Sequence, residues 1–204
     1  MRATIATIFI LLISFGALGE DTPVAVIYDK PITIESITPS EDELEKMGID
    51  RRMQGYTIYL DEVRIGRLIK TVIDEATVHF AEEKAIEKGS DQALIESFKQ
   101  AFYSDVPELS DAQIEAASEA VYRWQIDKAL YDAFGGTVVF QQTNPQAPIE
   151  AYKLFFEQLE KQGHFTINNP KVDTMIKERM GPPYAFVVEP EYVDFSVPWW
   201  VKTQ

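Results

Sequence analysis

The chain is 204 residues long, carries a formal net charge of −14 at pH 7 and contains no cysteine. A negative surface repels phosphate backbones, so we expect no nucleic-acid partner. The lack of cysteine excludes disulfide bonds, thiol nucleophiles and cysteine-based zinc sites. With 46% hydrophobic and 12% aromatic residues, the composition is typical of a protein with a packed core.

The first nineteen residues have the pattern of a secretory signal peptide. Arg2 supplies a positive charge, residues 3–15 are an apolar run, and small residues at 16–19 precede Glu20. The run is shorter than the roughly 20 residues that span a bilayer. We therefore expect cleavage after Gly19, export to the periplasm of a Gram-negative bacterium, and no membrane insertion of the mature chain.

Two short segments rich in β-formers follow the apolar run. Residues 24–28 and 32–34 flank residues 29–31, which predicts a hairpin with a tight turn. Because Pro31 has no amide hydrogen to donate, the second strand is expected at the edge of a sheet.

Helix signals dominate the next hundred residues. Ser40, followed by acidic residues, predicts a helix start. Apolar residues at three-and-four spacing predict a long helix over 60–88, with Gly89 as its terminator. Ser90 is expected to cap a shorter helix, and Ser110 to open a third through a capping box.

The remaining third mixes short elements. Gly135-Gly136 is expected to stop a helix before a strand over 137–142, and Pro148 to lie in the first turn of another helix. Asn169 begins a last short helix. The resulting fold class is mainly α with a few short β-strands: a single helical domain over residues 20–204, with a possible sub-boundary near 135–147.

The tail, residues 184–204, is rich in proline and aromatic side chains and is expected to wrap over the body. Because aromatic residues dominate recognition surfaces, four of them are candidate peptide-binding residues. These are Tyr184, Phe186, Trp199 and Trp200. The alternative is that they close the core.

No sequence motif fixes a catalytic chemistry. The nucleophile elbow and the phosphate-binding glycine loops are missing, so we name no catalytic residue and expect no cofactor. Glu75, His79 and Glu82 share one face of the long helix and could ligate a metal, as in helical bundles. No other predicted helix supplies matching ligands, so we expect no metal site; the alternative is a solvated face with ion pairs.

One part of the chain resembles a known family. The segment from Val24 to Thr33, V-A-V-I-Y-D-K-P-I-T, is similar to the opening hairpin of SurA-like exported foldases. Residues 67–84 and 109–115 resemble the helices that follow it, so the resemblance covers about residues 23–120. It implies a helical chaperone-like domain. The departures are Asp29-Lys30, where the family has asparagine and glycine, and the absence of a parvulin isomerase domain.

These observations favour a non-enzymatic module of the bacterial envelope that binds peptides or proteins, with unfolded or partly folded envelope proteins as partners. Peptidyl-prolyl isomerase activity is not implied. Two alternatives stay open: a small enzyme with a site of carboxylates and His79, or a structural subunit of an envelope complex.

Overall fold

The structure, a computed structural model, describes residues 22–202, so the expected signal peptide and its cleavage point lie outside the described residues. The fold is mainly α, with 58% helix and 9% strand. In chain order the elements are β1 (Ala25–Ile27), β2 (Lys30–Ile32), α1 (Ile34–Ile37), α2 (Glu41–Lys46), α3 (Tyr56–Glu83), α4 (Gln92–Tyr103), α5 (Asp111–Phe134), β3 (Val139–Gln141), β4 (Asn144–Ala147), α6 (Ile149–Gln162), β5 (Phe165–Ile167), α7 (Pro170–Met180) and α8 (Trp199–Lys202). Between residues 22 and 202, no helix is both long and apolar enough to cross a membrane.

The predicted hairpin is present, but its turn lies one residue earlier than expected. Tyr28 and Asp29 have φ values of 45° and 64°, and Ile27 pairs with Lys30. Two central residues with positive φ are the mark of a type I′ turn, which suits the twist of a two-residue hairpin. The three-stranded antiparallel sheet has the order β2-β1-β5, so β2 with Pro31 is an edge strand, as predicted.

Helix α3 ends at Glu83, so the prediction that Gly89 terminates it is wrong. The residue in the left-handed region is Ala85, with φ 52°. The Ile86 amide donates to the Ala81 carbonyl at 2.8 Å and the Ala85 amide donates to the Glu82 carbonyl at 3.1 Å. This is a Schellman cap with alanine at the position usually taken by glycine.

Side-chain caps begin most of the longer helices. Ser110 forms the predicted capping box, Ser40 caps α2 as predicted and does so through a capping box as well, and Asn169 caps α7. The cap of α4 is Asp91 rather than the predicted Ser90, because the Leu94 amide donates to the Asp91 carboxylate at 3.0 Å.

The Gly135-Gly136 stop connects α5 to β3. Both glycines have positive φ, 64° and 91°, and a Cβ built on Gly136 would lie 2.8 Å from the Glu150 Cγ atom. The Glu150 carboxylate accepts from the Thr137 amide at 2.8 Å and from its hydroxyl at 2.7 Å. The connection therefore packs directly on the first turn of α6. Strand β3 falls within the predicted segment.

Within the part of the chain that the structure describes, two hydrophobic clusters form the core. The main cluster joins the N-terminal sheet with α3, α6, α7 and the second half of α5. The smaller cluster comprises Ile95, Ala117, Val121 and Trp200, with partly buried neighbours that include Trp124 and Trp199. Because α5 contributes to both clusters, and because the main cluster includes residues on both sides of 135–147, packing is continuous along the chain.

The tail packs on the body as expected. Its Val187 bridges Val139 in antiparallel register, and the Phe140 amide donates to the Phe186 carbonyl at 2.8 Å. Further along, the Asp194 amide donates to the Gln146 side chain at 2.8 Å. Phe195 is buried, so the tail is anchored at several points.

Candidate functional site

An apolar cavity of about 180 Å³ lies between α3, α6, β5 and α7. Ile69 and Ile73 of α3 form part of its wall and are both half-buried. The other apolar side chains around it are Val72, Phe156, Phe165, Ile167, Ile176 and Met180. The cavity thus opens in the face of the main core, where three helices and a strand converge.

Charged side chains at the cavity are paired with one another. Lys153 contacts Glu157 at 2.7 Å, and Lys177 contacts Asp173 at 2.9 Å and Glu160 at 3.4 Å. The hydrogen bond from Lys153 lowers the pKa of Glu157, and the Asp173 carboxylate raises the pKa of Lys177. Three carboxylates and two ammonium groups leave one negative charge beside an apolar interior.

The volume limits what the cavity can hold. A dry engineered cavity of about 150 Å³ binds benzene, whereas pockets for drug-sized ligands measure about 300–1,000 Å³. A cavity of about 180 Å³ therefore suits one aromatic or branched aliphatic side chain.

The four predicted peptide-binding residues do not form one site. Trp199 and Trp200 lie together in the smaller cluster, where Trp200 is fully buried and donates its indole N–H to Ser97 at 3.0 Å. Trp200 therefore presents no surface to a peptide. Phe186 is 78% exposed and Tyr184 is half-buried, and their role in binding stays a prediction.

The candidate metal ligands do not converge on one point. Glu75 is paired with Lys30, and the His79 ring stacks on Tyr28 with a centroid distance of 4.0 Å. Glu82 is exposed, with its carboxylate 4.0 Å from the His79 ring. Within residues 22–202, no group of three or more histidines and acids could hold a metal ion. His79 does not line the apolar cavity.

Two buried acids, Asp61 and Asp127, were not predicted from the sequence, and Asp127 is the more buried of the two. The carboxylate of Asp127 accepts hydrogen bonds from the Tyr152 hydroxyl and the Asn144 amide, both at 2.7 Å. Burial raises the pKa of Asp127 to about 6, against the effect of those two donors. The available signal was its position: Asp127 lies three residues from both Trp124 and Leu130, within the apolar stripe of its helix.

Comparison with protein-family models, with curated proteins and with solved structures found no match. The similarity of residues 23–120 to SurA-like foldases therefore stays a prediction. The geometry of the cavity is the basis on which a function is proposed.

Proposed function

We propose that this protein is an exported, non-enzymatic binding protein that receives apolar side chains of unfolded or partly folded envelope proteins. The observation that supports this proposal is the apolar cavity of about 180 Å³ between α3, α6, β5 and α7. Unfolded chains expose far more large apolar side chains than folded proteins do, so they are the main source of a side chain that can enter the cavity.

The surroundings of the cavity fit such a partner. A client inserts one side chain while its polar backbone stays at the charged rim, which keeps that backbone hydrated. The formal net charge of −14 keeps the protein, and a complex with an aggregation-prone client, in solution. Because the lysines and acids at the rim are paired with one another, the affinity for a client comes from the apolar interior.

The first test is protection of denatured proteins from aggregation. We expect the protein, at stoichiometric amounts, to reduce light scattering from both denatured lysozyme, which is basic, and denatured α-lactalbumin, which is acidic. Ile69→Trp should abolish this protection because a larger ring at the cavity wall fills the space. Ile58→Trp is the matched control, since Ile58 lies on the same helix, is 41% exposed and does not line the cavity.

Circular dichroism would verify that both variants keep the native helix content. No protection by the native protein at stoichiometric amounts would contradict the proposal. Equal loss in the Ile69 and Ile58 variants would show that the cavity is not the binding site. Protection of lysozyme alone would contradict the proposal as well, because it would show that the protein acts by attracting basic clients rather than by binding apolar side chains.

A second candidate function, a subunit of an envelope complex, is favoured by one specific observation. The register of the tail on β3 places Phe140 opposite Phe186, and the two side chains are 53% and 78% exposed. Phe186 also has a φ of 55°, a backbone strain that is often found at functional sites. A partner that copurifies at fixed stoichiometry with the native protein, and not with Phe186→Ser, would favour this function.

A further inference from the structure

The three tryptophans of the chain surround one cavity of about 280 Å³. Trp124 comes from α5, and Trp199 and Trp200 come from α8. The Trp124 and Trp199 ring centroids lie 6.1 and 5.4 Å from that of Trp200, with interplanar angles of 73° and 85°. Two indoles therefore stand nearly perpendicular to Trp200, which is fully buried, and the partly buried rings of Trp124 and Trp199 are the ones open to the cavity.

A carboxylate lines the same cavity. Asp127 is 5% exposed, and its oxygens accept from Asn144 and Tyr152. Arg123, also at the cavity, is paired with Glu119 at 2.9 Å. Arg123 is thus paired with another acid and acts on Asp127 only through its charge, while the hydrogen bonds to Asp127 come from neutral donors.

We propose that this cavity binds a quaternary ammonium group. The faces of aromatic rings attract cations, tryptophan most strongly, and aromatic cages recognise quaternary ammonium ligands in particular. Such a group needs no hydrogen-bond acceptor, which suits a wall formed by the partly buried rings of Trp124 and Trp199. Asp127 supplies the opposite charge at short range.

The dimensions agree with this ligand. The cavity is larger than the roughly 150 Å³ that holds a benzene molecule, so a trimethylammonium head fits. Ala116 and Ala120 of α5 also line the cavity, and their small side chains leave the space between the indoles open.

This inference is independent of the function proposed above. The tryptophan-lined cavity shares no residue with the apolar cavity between α3, α6, β5 and α7. Loss of one binding activity can therefore be measured while the other is intact. The Ile69→Trp variant, for example, should bind a quaternary ammonium ion like the native protein.

Tryptophan fluorescence reports on this cavity alone, because all three tryptophans of the chain line it. We expect choline to change the emission saturably. Its uncharged isostere, 3,3-dimethyl-1-butanol, should bind at least about tenfold more weakly because it lacks the charge. Calorimetry with the same two compounds gives the affinities without relying on emission.

Asp127→Asn removes the negative charge and keeps the size and shape of the side chain. An asparagine can still accept from Asn144 and can donate to the Tyr152 hydroxyl, so the fold is retained. We expect choline to bind this variant about tenfold more weakly at pH 7.5, and its affinity to be independent of pH. In the native protein, affinity should fall on acidification through about pH 6, where Asp127 becomes protonated.

Two further variants complete the design. Trp199→Phe keeps an apolar ring but weakens the attraction for a cation, so choline affinity should fall while that for the neutral alcohol is kept. Phe186→Ser, a tail residue outside the cavity, should have no effect. Sedimentation with phosphatidylcholine vesicles shows whether the group is bound as a lipid headgroup, and binding of free choline alone assigns a soluble ligand.

Equal affinity for choline and the neutral alcohol would overturn the proposal, because the cavity would then be merely apolar. So would the absence of any heat or emission change at millimolar choline. An Asp127→Asn variant that binds choline as tightly as the native protein would also contradict it.

Discussion

Asp127 is a buried carboxylate that makes stability depend on its protonation. It lies on the inward face of α5, beneath the hairpin of β3 and β4, and accepts from Asn144 of β4 and Tyr152 of α6. Burial and the neighbouring carboxylate also raise the pKa of Tyr152, so this hydroxyl stays protonated and keeps its role as a donor. The residue joins three elements through one carboxylate.

The raised pKa of Asp127 makes stability depend on pH. Its folded pKa of about 6 exceeds the unfolded value of about 3.9, so the folded state holds the proton more tightly. The contribution is complete below about pH 4 and is lost as the pH rises through about 6. Asp127→Asn should therefore gain about 2 kcal/mol of unfolding free energy relative to the native protein between pH 4 and pH 7.

Urea unfolding of both proteins from pH 4 to pH 8 measures this difference. Acids with lowered pKa values, such as Glu43, contribute equally to both proteins and cancel. Parallel stability curves for the two proteins would contradict the assignment of Asp127.

Ala85 is a second residue whose conformation predicts a mutational effect. Alanine in the left-handed region costs about 1–2 kcal/mol, whereas glycine adopts it freely. Ala85→Gly should raise the unfolding free energy by about 0.5–1 kcal/mol, since greater freedom of the unfolded chain offsets part of the gain. The matched control is Ala93→Gly, in the exposed first turn of α4, which should lower it by up to about 1 kcal/mol.

At the scale of elements, helix caps and apolar periodicity could be predicted from the sequence, because both depend on neighbours within a few residues. Ser40, Ser110 and Asn169 begin their helices as expected. Strands β4 and β5 could not be predicted: each has three or four residues, and each exists only because a partner strand pairs with it. The end of α3 was missed because the cap uses alanine in place of glycine.

The connection between α5 and α6 depends on a glycine at position 136. At Gly136 a side chain would face both a φ of 91° and a Cβ contact of 2.8 Å with Glu150. Gly136→Ala should lower the unfolding free energy by about 1–3 kcal/mol and loosen the first turn of α6. Gly163→Ala is the control, because Gly163 has a φ of 75° but open space around it, and should cost about 1 kcal/mol. Equal losses of unfolding free energy at both positions would contradict this, because they would show that the Glu150 side chain moves aside without an energetic penalty.

For the whole molecule, the sequence indicated that the tail packs on the body, but not which of its aromatics would be buried. Trp200 is fully buried and Phe186 is 78% exposed, although both belong to the same apolar tail. That difference depends on the register of the tail against α4, α5 and β3, which no local pattern encodes. The apolar cavity was likewise hidden, because α3 contributes to its lining from about 70 residues before α6, β5 and α7.

The proposed function requires an apolar side chain of a partner to enter the cavity between α3, α6, β5 and α7. Methyl NMR of isoleucine-labelled protein tests this directly, because four isoleucines line the cavity, namely Ile69, Ile73, Ile167 and Ile176, while Ile58 and Ile114 do not. On titration with an unfolded peptide containing one phenylalanine, we expect the methyl signals of the four lining isoleucines to shift together and those of Ile58 and Ile114 to stay in place. The same peptide with serine for phenylalanine should cause no shift. Unchanged signals from the lining methyls, or equal shifts at Ile58 and Ile114, would contradict the account.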